Sequence, residues 1–136
     1  MKSYTREIKL LGLVASVITI AAPISHAFDS ESEARMSGER TGMNAYFVEL
    51  CEDHETPMLD KLTAWTDRNA QESYYSRAYT QSKQRGYNAI RNQVQPMIDR
   101  SELGASDIEE ICGESEQSNA ANAEQLKELG ILPYDF

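Results

Sequence analysis

The residues best suited to chemistry are carboxylates that crowd around the only two cysteines of the chain, Cys51 and Cys112. A disulfide between them would draw eight acidic side chains towards one end of the molecule: Glu49, Glu52, Asp53, Glu55, Glu109, Glu110, Glu114 and Glu116. Like charges repel, and a cationic partner would offset that cost. The pattern therefore predicts an acidic patch that binds a basic partner protein. The alternative interpretation is two solvated helix faces whose acids point away from one another.

His54 lies within this acidic region and is the candidate pH-responsive group. Its neighbouring carboxylates favour the imidazolium form. A zinc site needs more ligands than the single histidine after residue 27 can supply, and Cys51 is expected to be oxidised. The sequence also lacks the Asp-rich, glycine-turned calcium loop of an EF-hand. We therefore predict no metal site and no cofactor.

A basic, tyrosine-rich segment is the second candidate surface. Residues 73–98 contain four basic side chains and no acid. Because interfaces favour tyrosine and arginine, the segment predicts a contact surface made of Tyr74, Arg77, Lys83, Arg85, Tyr87 and Arg91. Alternatively, the tyrosines belong to the core and the basic side chains pair with acidic helices on either side. Basic and aromatic residues together can also bind single-stranded nucleic acid, but the acidic charge of the whole chain argues against that partner.

Sequence motifs of enzymes are missing. The chain has no Gly-x-Ser-x-Gly, no His-Glu-x-x-His and no phosphate-binding loop. Carboxylates are plentiful, but their spacing in the sequence alone does not define a hydrolase. We therefore predict no catalytic residues and a non-enzymatic function.

Residues 1–27 have the features of a secretory signal peptide. Basic residues precede a mostly apolar run over residues 10–22, and Ser25-His26-Ala27 has small residues at both cleavage positions. A membrane span takes roughly 20 apolar residues, so we expect cleavage before Phe28 and no membrane span after it. The predicted location is periplasmic or, alternatively, secreted. Either compartment is oxidising and favours a Cys51–Cys112 disulfide.

The chain that remains after cleavage is small and strongly acidic. Its 109 residues make one domain by length. Removing residues 1–27 takes away three basic side chains and one acidic one, which leaves 10 basic against 21 acidic side chains and a net charge of −11. The charge is uneven, with −7 over residues 28–60, +4 over residues 61–100 and −8 over residues 101–136. Such a chain attracts cationic partners and avoids nucleic acid and anionic membranes.

Apolar side chains recur with helical spacing along most of the chain, and no segment alternates with period two. The sequence therefore predicts an all-α fold, a compact bundle of four to five helices stapled by one disulfide. We expect a flexible N-terminal arm over residues 28–40, because Gly38 and Gly42 weaken a helix. A helical domain follows over residues 41–131, and residues 132–136 form a C-terminal tail. The oligomeric state stays open.

Several residues carry signals for the ends of helices. A Thr–Pro start signal and a capping-box pair mark helix N-termini, at Thr56-Pro57 and at Ser106 with Glu109. Ser30 with Glu33 could form another capping box, but the glycines that follow weaken a helix there. Gly130 is placed to end the last helix. The pattern leaves open whether residues 57–95 form one helix or two, with a break near residues 67–69.

The layout resembles that of the small periplasmic acid-stress chaperones of bacteria. A signal peptide and two cysteines that join an early helix to the start of the last one carry the resemblance, here Cys51 and Cys112. The cysteine spacing is longer than that group leads one to expect. The resemblance implies an acid-activated chaperone, because titration of the carboxylates would move the net charge to near +11 and loosen the fold. Small helical immunity proteins and exported inhibitors share the plan, and a metal-binding or other envelope protein is a further alternative.

Overall fold

The computed structural model describes residues 28–136, so the predicted signal peptide lies outside the described residues. Four helices follow one another: α1 (Glu31–Leu50), α2 (Pro57–Gln71), α3 (Ser76–Asp99) and α4 (Ala105–Glu128). The described chain contains no strand, and a Cys51–Cys112 disulfide joins the end of α1 to α4. The prediction of a small all-α bundle with one disulfide is confirmed. Between residues 28 and 136, no helix combines the length and apolar character needed to cross a membrane.

The first helix begins where the sequence predicted a flexible arm. Ser30 is its N-cap, and the Ser30 hydroxyl accepts a hydrogen bond from the Glu33 N–H at 3.1 Å. Phe28 is buried, and its ring stacks on that of Tyr79 with centroids 5.8 Å apart. The expectation of a loose arm over residues 28–40 is therefore wrong. We expected the glycines of this segment to weaken a helix, but in the structure they allow α1 to pack closely against another helix.

Glycines allow the backbones of α1 and α3 to touch. A Cβ atom added at Gly38 would overlap the carbonyl oxygen of Tyr79, and one added at Gly42 would overlap that of Lys83. Gly86 of α3 meets the α1 backbone in the same way. The partner of Gly42 lies four residues after the partner of Gly38, so α1 and α3 run parallel. This pair has the most extensive packing in the bundle.

The region after Thr56-Pro57 forms two helices, which answers the question that the sequence left open. The break lies at residues 72–75 rather than near residues 67–69, and the Ser73 hydroxyl there accepts a hydrogen bond from the Tyr75 N–H at 3.0 Å. Pro96 does not end α3, which continues to Asp99. Its missing N–H costs one hydrogen bond close to the end of the helix.

The start of α4 also differs from the predicted one. Gly104 is the N-cap, and the Asp107 carboxylate accepts a hydrogen bond from the Gly104 N–H at 2.8 Å. The helix is therefore already under way at Ser106, which the sequence predicted as its cap with Glu109. At the other end, Gly130 adopts a φ of 75° and stops α4 as predicted.

The core consists of three small clusters rather than one. The largest lies near the disulfide and joins Phe47 of α1 with residues of the other three helices, including Leu59, Val94 and Ile111. A second surrounds Phe28 and Tyr79. In the third, the tail packs on α2 and α4 through buried Leu132, and α4 contacts α2 more than any other helix.

Candidate functional site

The disulfide fixes the turn after α1 against the second turn of α4. The Cα atoms of Cys51 and Cys112 lie 5.7 Å apart, and both side chains are buried. Residues 52–56 leave this anchor as a short turn that ends at the N-cap of α2. Any side chain in the turn is therefore held close to α4.

The candidate site consists of four exposed carboxylates, each within four residues of one of the two disulfide cysteines. Three of them, Glu52, Asp53 and Glu55, lie in the turn. Glu109 lies one turn of α4 before Cys112, about 60° around the helix from it. None of the four makes an ion pair with another residue of the described chain. We call Glu52, Asp53, Glu55 and Glu109 the acidic end.

The other acids of α4 do not belong to this cluster. Glu110 and Glu114 lie about 160° and 200° around the helix from Cys112, which places them on its far face. Their positions match the alternative interpretation of the sequence, in which some acids point away from the disulfide. The predicted patch of eight is therefore divided by the helical geometry.

Glu116 is engaged inside the molecule, at the N-terminus of α2. Its Oε1 accepts hydrogen bonds from the N–H groups of Met58 at 3.0 Å and Leu59 at 2.9 Å, and its Oε2 lies 3.0 Å from the Met58 nitrogen. These are N–H groups that lack a partner within the helix, and the helix dipole favours a negative charge there. The Thr56 side chain makes no capping hydrogen bond. Glu116 thus replaces it as the cap of α2.

Glu49 faces α3 instead of the acidic end. Its Oε2 accepts a hydrogen bond from the Tyr87 hydroxyl at 2.6 Å, and this bond raises the pKa of Tyr87. The ring of Tyr87 meets that of Tyr46 edge-on, with centroids 5.9 Å apart. Glu49 therefore belongs to a surface shared by α1 and α3.

A groove of about 380 Å³ lies along this surface. Its lining consists of two residues of α1 and four of α3: Ala45, Glu49, Thr80, Lys83, Gln84 and Tyr87. We call it the α1–α3 groove. The sequence alone does not reveal this groove, because its lining comes from two helices that α2 separates along the chain.

Lys83, which lines the groove, also belongs to a small polar network with Asp67 and Tyr79. The Asp67 carboxylate of α2 accepts hydrogen bonds from the Lys83 ammonium at 2.8 Å and from the Tyr79 hydroxyl at 3.0 Å. Burial raises the pKa of Tyr79 far above its ordinary value. Lys83 is therefore an internal ion-pair partner rather than a free basic side chain.

The predicted basic surface is not continuous. Arg77, Arg85 and Arg91 are exposed, but Arg85 lies about 80° around α3 from Arg77, in the opposite sense to Arg91. Tyr74 is 92% exposed at the turn before α3. Together with the engaged Lys83 and Tyr87, these residues cover several faces, so the structure does not bring the set together.

His54 is half-buried in the turn beside the acidic end. Its backbone N–H bonds to the Cys51 carbonyl at 2.9 Å, which shapes the turn. Across the described part of the chain, no three histidine, cysteine or acidic side chains converge closely enough to hold a metal ion.

Comparison with known proteins adds no relative. No protein-family model matches the chain, and no curated protein or solved structure matches it either.

Proposed function

We propose that this protein is an exported, non-enzymatic binding protein whose acidic end contacts a basic partner protein. A lysozyme-like enzyme or a basic toxin has the required charge, and the protein would act as its inhibitor or immunity protein. One observation carries the proposal. Three exposed carboxylates lie in the disulfide-anchored turn and a fourth lies one turn of α4 before Cys112, and none of the four makes an ion pair in the described chain.

The charge of the whole molecule supports the same partner. A net charge of −11 after residue 27 steers cationic proteins towards it, and the attraction weakens as salt is added. The screening length is about 10 Å at 0.1 M salt. The complex should therefore form quickly at low salt and dissociate at moderate salt.

The experiment uses two variants with the same net charge. The acidic-end variant neutralises four carboxylates: Glu52→Gln, Asp53→Asn, Glu55→Gln and Glu109→Gln. The control variant neutralises four exposed acids elsewhere: Glu39→Gln, Glu72→Gln, Glu128→Gln and Asp135→Asn. Each protein, with its disulfide intact, is immobilised and exposed to periplasmic extract at low salt.

The expected result is one basic protein that elutes as salt rises from the wild type and the control variant, and that the acidic-end variant does not retain. Equal retention by both variants would mean that net charge alone attracts the protein, and would contradict a role for the acidic end. Retention by neither variant would also contradict it, because binding would then depend on the total charge of the molecule rather than on this site.

A second candidate function, an acid-activated chaperone, is favoured by three carboxylates that form hydrogen bonds between helices. Glu49 bonds α1 to α3, Asp67 bonds α2 to α3, and Glu116 caps α2 from α4. Protonation would weaken each contact, because a neutral carboxyl is a poorer acceptor than a carboxylate. Acid would then loosen several helix contacts at once while the disulfide keeps the chain linked.

This candidate is tested at pH 3. It predicts loss of the near-ultraviolet circular dichroism signal, retained helix content and suppressed aggregation of an acid-denatured client protein. A native near-ultraviolet spectrum at pH 3 would contradict it.

A further inference from the structure

We infer that the α1–α3 groove binds a guanidinium group, supplied by an arginine side chain of the partner. The source of that arginine rests on the proposed function, whereas the groove and its chemistry stand on the contacts below. Glu49 lines the groove and lies two residues before Cys51, which places the groove near the disulfide along α1 but on a different face of that helix.

The groove presents oxygen atoms that can accept hydrogen bonds. The Tyr87 hydroxyl occupies Oε2 of Glu49, which leaves Oε1 open. The Gln84 amide donates to Asn88 at 3.2 Å, so its carbonyl oxygen remains available. The Thr80 hydroxyl is exposed and makes no hydrogen bond to the described chain. A ligand for this set must therefore be a donor of several hydrogen bonds.

The charges of the groove favour a cation. Its only basic lining residue, Lys83, is neutralised by Asp67 at 2.8 Å. Glu49 has no ion-pair partner within residues 28–136, so its negative charge is uncompensated. Arg91 lies one turn beyond Tyr87 and is close enough for its positive charge to act on Tyr87, so it opposes a bound cation.

The shape of the groove favours guanidinium over ammonium. A volume of about 380 Å³ is at the small end of the range for ligand pockets, roughly 300–1,000 Å³. Tyr87, whose hydroxyl bonds Oε2 of Glu49, adds an aromatic side chain to the lining of the groove. A planar guanidinium can stack on such a ring and donate to a carboxylate at the same time, which a compact ammonium does less well.

The test uses N-acetylarginine amide as the probe and records backbone amide shifts of the full mature protein by NMR. N-acetylcitrulline amide is the neutral probe of the same shape, and N-acetyllysine amide carries the same charge without the planar group. Glu49→Gln removes the open charge, and Glu39→Gln removes an exposed charge from the same helix as a control.

The arginine probe should give saturable shifts at Ala45, Gln84 and Tyr87, with a Kd of about 1–10 mM. Citrulline and the Glu49→Gln variant should each weaken binding at least about tenfold, lysine several-fold, and Glu39→Gln should leave the Kd unchanged. Arg91→Gln should tighten binding. Equal binding of the arginine and citrulline probes, or no saturable shift in the groove, would overturn the inference.

The two proposals fail separately. The arginine probe needs no partner, and the acidic-end variant leaves Glu49 intact. If the partner uses the groove, adding the arginine probe should weaken capture of the partner by the wild type. Binding of the probe without any effect on capture would overturn the assignment to an arginine of the partner.

Discussion

Two sets of carboxylates in the described chain have different surroundings. Glu49, Asp67 and Glu116 accept hydrogen bonds from a neighbouring helix and hold the bundle together. The acidic end faces solvent without ion pairs in the described chain. Sequence spacing cannot separate the groups, because the donors to Glu116 lie 57 and 58 residues away along the chain. The residue types were therefore predictable, but the division of the predicted patch was not.

Glu116→Gln tests one of the carboxylates that accept hydrogen bonds from a neighbouring helix. The variant keeps one acceptor but loses the charge at the N-terminus of α2, so the free energy of unfolding should fall by about 1–2 kcal/mol. Urea unfolding of the oxidised protein measures it. Glu110→Gln on the far face of the same helix should change stability by less than about 0.5 kcal/mol. Similar losses in both variants would contradict the capping role.

Tyr79→Phe tests the buried hydroxyl by its pH dependence. The folded state raises the pKa of Tyr79, so its contribution to stability is complete below about pH 10 and is lost as pH rises further. Between pH 9 and pH 11 the wild type should lose stability faster than Tyr79→Phe, by up to about 1.4 kcal/mol per pH unit. Tyr134→Phe, at a side chain that is 95% exposed, should follow the wild type. Parallel curves for all three proteins would show that Tyr79 ionises as freely in the folded state as in the unfolded one.

At the scale of helices, the sequence indicated their number and most of their signals, but it misjudged the glycines. Apolar spacing located most of the helices, and Gly130 ended the last one as expected, whereas the helix capped by Ser30 formed where a flexible arm was predicted. A glycine in the sequence does not show whether it weakens a helix or lets two helix backbones touch, and Gly38 and Gly42 do the latter. Only the facing residues on α3 distinguish the two, and they lie about 40 residues further along the chain.

Two glycine substitutions should change the free energy of unfolding in opposite directions. Gly42→Ala places a Cβ against the Lys83 backbone and should lower the free energy of unfolding by at least about 2 kcal/mol. Gly113→Ala in α4 meets nothing within 4 Å and should raise it by about 0.5–1 kcal/mol, because alanine is the better helix former. Urea unfolding measures both. A neutral Gly42→Ala would contradict the close contact of α1 with α3.

At the scale of the whole molecule, one disulfide adds a covalent link to a fold whose described core is divided into three small clusters. The disulfide closes a sequence separation of 61 residues. Replacing both cysteines, by Cys51→Ser with Cys112→Ser, should lower the free energy of unfolding by about 4 kcal/mol in the chain-entropy description. Urea unfolding of the double variant against the oxidised wild type gives the value. A loss below about 1 kcal/mol would mean that the packing of α4 holds the acidic end without the link.

The most direct test of the proposed function is the affinity of the captured basic protein for the two four-site variants, measured by calorimetry at low and moderate salt. Both variants have the same net charge, so only the location of the lost carboxylates differs. The acidic-end variant should bind at least about tenfold more weakly than the control variant, a difference of about 1.4 kcal/mol, and should depend less on salt. Equal affinities would contradict the assignment of the acidic end as the binding surface.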